Sequence, residues 1–467
     1  MNPLTLAEIR QAVGARNSRE TSTWSPLVRF VCSNSREMQA QSLFVALRGD
    51  RFDGHEYLSA AAEGGAVAAL VDHCPTDAPA DLRLVEVEDT KRAMGRLAAH
   101  VRQHLRGKVI AVAGSNGKTG TKYLIHSVLS PALRGTISPK SFNNDIGVPL
   151  SIFPADVVQD YLVLEIGTNH PGEIAPLARM ANPDIAVITN CSAEHLEGLV
   201  DLAGVRQENA RIVDGLRHDG LLIINGDDAE LLAAVESFEG RTITFGFAAS
   251  NDLIVSNIVC DANGTEFSLG RDALRWYVPL LGQHAAVNAL AAIAIGREMG
   301  LADQDIAENL KLANGPDMRL QLTDVGGIRV LNDAYNANPA SMKAAIQTLA
   351  ALPTGGRRIA ALGDMRELGE ASESCHREIG QFLGRDFPPD QLVCIGTAAR
   401  SIAQEAMDCG LEPHAVRYYP DAAAAAKAMV SGLRKGDLVL LKGSRAIGLE
   451  AIAREITTWQ KKLAEVV

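Results

Sequence analysis

No apolar run in the sequence approaches the ~20 residues that cross a bilayer. The first fourteen residues carry Glu8 and Arg10 in a helix-like pattern and lack the apolar core of a secretory signal. Basic residues do not predominate: 45 Lys and Arg stand against 56 Asp and Glu, a net charge of −11. That balance argues against a general binder of nucleic acid or of membrane surfaces, so an anionic ligand needs a local basic site. The seven cysteines are scattered, odd in number and free of any Cys-x-x-Cys pair. They read as reduced thiols filling cores in a cytoplasmic protein. The histidines and cysteines show no zinc-type spacing, and no repeat array emerges. What remains is an ordinary soluble composition, 47% apolar and 22% charged over 467 residues, enough chain for about three domains.

The most informative stretch is Val109-Ile110-Ala111-Val112-Ala113 followed by Gly114-Ser115-Asn116-Gly117-Lys118-Thr119. An apolar strand, a glycine turn and a helix start, in that order, make a phosphate cradle. The loop N–H groups point inward and the helix dipole adds partial positive charge. Lys118 is placed to reach the β/γ-phosphates, and the Thr119 hydroxyl to ligate Mg²⁺. The Gly-x-x-Gly-Lys-Thr spacing is shorter than the commoner Gly-x4-Gly-Lys version.

Around this loop the pattern predicts an α/β fold. Leu43–Leu47 and Ala66–Val71 are short buried-type strands within a first domain, residues 1–105. From 106 to 317, Tyr161–Gly167, Ile185–Asn190 and Leu221–Asn225 alternate with helical stretches. That alternation implies a mostly parallel sheet, with ligands beyond the carboxyl ends of its strands. Residues 243–280 alternate in polarity around an Asn263-Gly264 hairpin turn, and an alanine-rich helix runs from Ala285 to about Met299. A third, Rossmann-like α/β domain covers 318–467, with apolar runs at Ile328–Leu331, Ile359–Leu362, Leu392–Ile395 and Leu438–Leu441.

Polar residues at strand ends are the site candidates. Glu165 ends a largely apolar strand, where a Mg²⁺ ligand is expected after a phosphate loop, and His195 follows the next strand. Asn143-Asn144-Asp145 and Asn332–Pro339 read, taken alone, as capped turns. Ser33–Arg36 and Gly49–His55 read alone as surface loops. Asn332–Pro339, Gly363–Gly369 and Lys442–Arg445, three polar loops after strands of one domain, suggest a site facing the phosphate loop.

Taken together these motifs resemble the Mur ligase superfamily, nearly end to end, and the short phosphate loop is shared by that superfamily. Asn143-Asn144, Tyr335-Asn336-Ala337-Asn338-Pro339 and Gly363-Asp364-Met365 point to the branch that joins D-alanyl-D-alanine to UDP-N-acetylmuramoyl-tripeptide. The resemblance implies a cytoplasmic, monomeric, ATP- and Mg²⁺-dependent enzyme with no nucleic-acid partner and no membrane insertion. It implies that Lys118, Glu165 and His195 are catalytic, and that Thr119, Glu165 and His195 hold metal. It assigns Gly114, Ser115, Asn116, Gly117, Lys118, Thr119, Asn288, Arg319 and Asp333 to ATP, and Ser33, Asn34, Ser35, Arg36, Asn143, Asn144, Tyr335 and Asn338 to substrate. This sequence departs from the family pattern in three places. The family often carries a carbamylated lysine about fourteen residues after the metal-site histidine, and here that count reaches Asn209. The support for a second metal is therefore absent, or replaced by the adjacent Glu208. Ala285 stands where an asparagine is usual, removing one adenine-side contact, and Asn34 replaces an aspartate. The other readings are a sister ligase using a different amino acid, or a non-catalytic nucleotide-binding paralogue.

Overall fold

The computed structural model describes residues 2–16, 26–270 and 274–466, with side chains to 461. The chain builds three principal sheets. The first has four parallel strands, Phe30–Cys32, Ser42–Val45, Ala66–Val71 and Arg83–Glu86, in that order. The helix Thr90–His104 ties it to the next sheet. From that helix the buried Arg102 donates to the carbonyls of Ala181 and Asn182 and to Asp184, each at 2.8 Å.

The central sheet has nine strands. Seven run parallel in the order Gly135–Ile137, Tyr161–Glu165, Lys108–Ala113, Ile185–Ile188, Leu221–Asn225, Arg241–Gly246 and Leu253–Cys260. Thr265–Leu269 and Arg275–Val278 add an antiparallel margin. Lys108–Ala113 sits where the strand order reverses, between Tyr161–Glu165 and Ile185–Ile188. The register sets Glu165 opposite Val112 and Ile188 opposite Ala113, so three loops leave the sheet side by side at one end. Such a switch point is where open α/β sheets hold ligands. The alanine-rich helix, Gln283–Glu298, is buried without a break from Ala285 to Gly296. Its small side chains let it lie close to its neighbours; a Cβ on Gly296 would come within 2.8 Å of Val128 and Ile306.

The third sheet has six strands in the order Gln321–Val325, Ile328–Asp333, Leu438–Lys442, Arg358–Gly363, Gln391–Ile395 and Val416–Tyr419, all parallel except the first. Sequence reading located the central buried strands of all three sheets and passed over Phe30–Cys32, Arg83–Glu86, Gly135–Ile137, Gln321–Val325 and Val416–Tyr419. These lie at sheet margins, where one side meets solvent and the apolar signal is diluted. The Gln321–Val325 hairpin is closed by Gly326 and Gly327, both at positive φ, as a tight two-residue turn requires.

Burial makes two histidines inside this framework harder to protonate. His376 is fully buried; its Nε2 accepts from the Met365 N–H at 3.0 Å and its Nδ1 faces the Ser372 carbonyl at 2.6 Å. His126 lies 2.7 Å from the Tyr161 hydroxyl. Burial pushes both below the ordinary value of 6.5. On acidification the unfolded chain therefore takes up these protons first. Their stabilisation is complete above pH 6.5 and is lost progressively as pH falls below it. Urea midpoints are expected to drop between pH 7.5 and 5.5, and His376→Gln is expected to flatten that slope.

Candidate active site

The phosphate loop is fixed by what surrounds it. Gly114 and Gly117 have φ of 126° and 84°. A Cβ on either would come within 2.2 Å of Thr189 Oγ1 or 2.7 Å of Asn288 Nδ2, so glycine is required at both. Asn116 N–H donates to Asn190 Oδ1 at 3.1 Å, Ser115 N–H to the Asn190 carbonyl at 2.8 Å, and Gly114 N–H to Asn209 Oδ1 at 2.8 Å. Lys118 Nζ turns back onto the carbonyls of Gly114 and Ser115 and lies 3.9 Å from Glu194.

Glu165 is buried beside the loop with both oxygens engaged. Oε2 accepts from Thr119 Oγ1 at 2.9 Å and from Lys122 Nζ at 3.2 Å, while Oε1 accepts from Asn143 Nδ2 at 3.0 Å. Its own N–H donates to Ser138 Oγ at 3.1 Å. Lys122 is buried completely. Burial pushes its ammonium below the ordinary lysine value, against the pull of Glu165. Sequence reading missed Lys122, because a lysine within a helix is ordinarily a surface residue. The available signal was its spacing of four from Lys118, which puts both on one helix face.

His195 adopts a left-handed conformation at φ 50° and pairs through Nδ1 with Glu367, on the loop after the strand Arg358–Gly363. Glu194, buried next to it, joins the same cavity and was also passed over. Burial pushes the neighbouring Cys191 thiol up to about 12, so this segment holds no reactive thiolate.

Of the two readings at the missing lysine, support absent or replaced by Glu208, the geometry favours the first, because Glu208 is engaged elsewhere. The Glu208 carboxylate accepts from the N–H groups of Gly172 and Ile174, both at 2.8 Å, and caps the start of the helix Ile174–Ala181. Asn209, in the lysine's position, is buried; its amide accepts from Gly114 N–H and donates to the Val205 carbonyl. The position braces the phosphate loop.

The third sheet faces this corner across a cavity of about 790 Å³. Asp333 and Lys442, on neighbouring strand ends, pair at 2.7 Å, and Lys442 also donates to the Asn336 carbonyl. Arg319 stacks over Tyr335, its guanidinium 4.3 Å from the ring centre. Asn338 caps the helix Pro339–Ala351 and exchanges amide hydrogen bonds with Asn116 of the phosphate loop, at 2.9 and 3.3 Å. Of the residues assigned from sequence, the loop residues 115–119, Asn143, Glu165, His195, Asn288, Arg319, Asp333, Tyr335 and Asn338 line this one cavity, as does Ala285, while Gly114 sits behind the lining. Asn144 does not: its side chain is spent on the N–H groups of Ile146 and Gly147, the capped turn its sequence also suggested. Ser33, Asn34, Ser35 and Arg36 lie apart from the cavity in the first sheet's unit, where Asn34 caps the short turn Ser35–Glu37.

Fold and loop together define a phosphate-loop α/β protein whose site lies between two sheets. Family profiles match along the chain: "Mur ligase family, catalytic domain" over 27–102, "Mur ligase middle domain" over 112–296 and "Mur ligase, glutamate ligase domain" over 318–445. The chain belongs to the Mur ligase family. It is 37% identical to the UDP-N-acetylmuramoyl-tripeptide–D-alanyl-D-alanine ligase of Bacillus subtilis, covering 92% of this chain and 93% of that one. It is 35% identical to the Escherichia coli protein of the same name, over 91% and 93%. Among solved structures, MurF of Acinetobacter baumannii superposes with a TM-score of 0.88 at 28% identity, over 98% and 99% of the chains. MurF of Thermotoga maritima in complex with ADP superposes at 0.81 with 26% identity, over 93% and 98%.

Two substitutions test the Glu208 and Asn209 corner. Asn209→Ala leaves the buried Gly114 N–H without an acceptor and is expected to cost ~1–3 kcal/mol in urea unfolding, with weaker nucleotide binding. Glu208→Ala is expected to lose stability of the same order while leaving the Mg²⁺ dependence of ATP use unchanged.

Proposed function

We propose that this chain is an ATP-dependent ligase that joins D-alanyl-D-alanine to UDP-N-acetylmuramoyl-tripeptide, releasing ADP and phosphate. One observation carries the reading. The phosphate loop, the Glu165 carboxylate and the Asp333–Lys442 strand ends converge on a single cavity, in a chain whose curated relatives bear that activity in their names over nine-tenths of its length. The proposed layout has an N-terminal unit (1–105) for the uridine nucleotide through Ser33, Asn34, Ser35 and Arg36. A central unit (106–317) holds ATP, and a C-terminal unit (318–467) closes over it.

The reaction follows from the charges. The tripeptide's terminal carboxylate attacks the γ-phosphorus of ATP, the bond to ADP breaks, and an acyl phosphate forms. The amine of D-alanyl-D-alanine then attacks the acyl carbon, and phosphate leaves with one former carboxylate oxygen. Phosphoryl transfer of this kind needs positioning and charge neutralisation. Lys118 is free to exchange the loop carbonyls for phosphate oxygens. Asn288 and Arg319 frame the nucleotide from the two sides of the cavity, and Asp333 offers a carboxylate to the ribose. Tyr335 and Asn338 shape the wall facing the acceptor substrate, and Asn143 reaches it beside Glu165. The Thr119 hydroxyl and Glu165 carboxylate, adjacent hard-oxygen donors, fit Mg²⁺, and His195 fits a second ion once released from Glu367. Bound there, the metal would neutralise phosphate charge.

Phosphate release is expected only when UDP-N-acetylmuramoyl-tripeptide and D-alanyl-D-alanine are both present with ATP. Lys118→Ala is expected to lower kcat by roughly 10²–10³-fold. Turnover with glutamate or a diamino acid in place of the dipeptide would contradict the substrate assignment, and ATP binding without turnover would contradict the enzyme itself.

A further inference from the structure

Lys122 has no part in the roles above, yet it is the most deeply buried cation at the site. It leaves the helix Lys118–Leu129 one turn after Lys118, on the same face. Lys118 opens on the cavity; Lys122 is sealed behind it, fully buried and absent from the cavity lining. Its Nζ lies 3.2 Å from Glu165 Oε2 and donates to the carbonyl of Lys140, whose backbone holds a left-handed φ of 45°.

Such a pair is a poor device for stability, because the desolvation of two buried charges offsets their attraction and an apolar pair of similar size would serve. Geometry does not demand it either, since Thr119 and Asn143 already engage both carboxylate oxygens. What Lys122 alone contributes at Glu165 is charge. Glu165 is balanced by Lys122 at 3.2 Å, and Glu194 faces Lys118 at 3.9 Å. The corner therefore offers little net attraction to a bare divalent cation. A triphosphate supplies the missing negative charge when it enters.

We propose that Lys122 is a positioning residue that offsets the charge of Glu165, so that the site captures its divalent cation as the nucleotide complex and not as the bare ion. The inference rests on the proposed role of Glu165 at the metal.

The test titrates Mn²⁺, without nucleotide, into the full-length wild type, Lys122→Met, Lys122→Gln and Lys122→Met/Glu165→Gln, reading bound ion by paramagnetic resonance. Metal-free ADP binding reports the folded fraction of each. Both single variants are expected to bind bare Mn²⁺ at least tenfold more tightly than wild type, and the double variant to return to the wild-type level. Wild-type affinity in the folded single variants would overturn the inference, and Lys122→Gln keeps the question open to test if Lys122→Met does not fold. Glu165→Gln, measured in parallel for Mg²⁺-dependent ADP binding, separates the two claims. An unchanged Mg²⁺ dependence there overturns the metal role of Glu165 itself. A lost dependence with unaltered Mn²⁺ binding in the Lys122 variants overturns only the charge-offset role.

Discussion

A single buried carboxylate holds the site together. Glu165 ends one central strand and receives hydrogen bonds from the first turn of the phosphate-loop helix through Thr119, from its second turn through Lys122, and from the 138–143 segment through Asn143. Hydrogen bonds to an ionised acceptor are stronger than neutral ones, and in a buried setting every donor is committed to its place. Strand, loop and helix therefore move as one body. The phosphate cradle is preorganised by these bonds, and Asn209 completes it from behind by capping the Gly114 N–H.

The third sheet meets this rigid corner through contacts of another kind. Asn116 and Asn338 exchange amide hydrogen bonds, and His195 pairs with Glu367. These are side-chain contacts between loops, and the backbone around them is strained. Nine non-glycine residues adopt positive φ among the described residues, and four of them, His195, Met318, Leu320 and Glu367, lie where the two sheets' loops meet. Strain of this sort persists where the surroundings over-determine it, and it clusters at sites that assemble and reopen. A reaction built from groups on both sheets fits that division, with a fixed nucleotide cradle on one side and an adjustable wall on the other.

Much of this was legible in the sequence, because buried parallel strands are near-continuous apolar runs and the polar residues ending them stand out by contrast. Glu165 and His195 stand out in that way, whereas Asp333 enters through the family resemblance. Edge strands were lost for the converse reason. The partners of the site residues were lost too: Lys122 looks like any helical surface lysine, and Glu367 lies 172 positions from the histidine it meets. Glu208 and Asn209 show the limit of counting residues along the chain. Spacing located the right segment, but only the fold reveals that Glu208 caps a helix and Asn209 braces the loop. Asn144 shows the reverse, a motif residue whose turn-forming chemistry uses up its side chain.

The central claim is that this cavity transfers the γ-phosphoryl group of ATP onto a substrate carboxylate. Labelling the terminal carboxylate of UDP-N-acetylmuramoyl-tripeptide with oxygen-18 and weighing the phosphate released in a single turnover with D-alanyl-D-alanine tests that step. The account predicts that the released phosphate carries one labelled oxygen for each amide bond formed. Unlabelled phosphate, its new oxygen drawn from water, would contradict it.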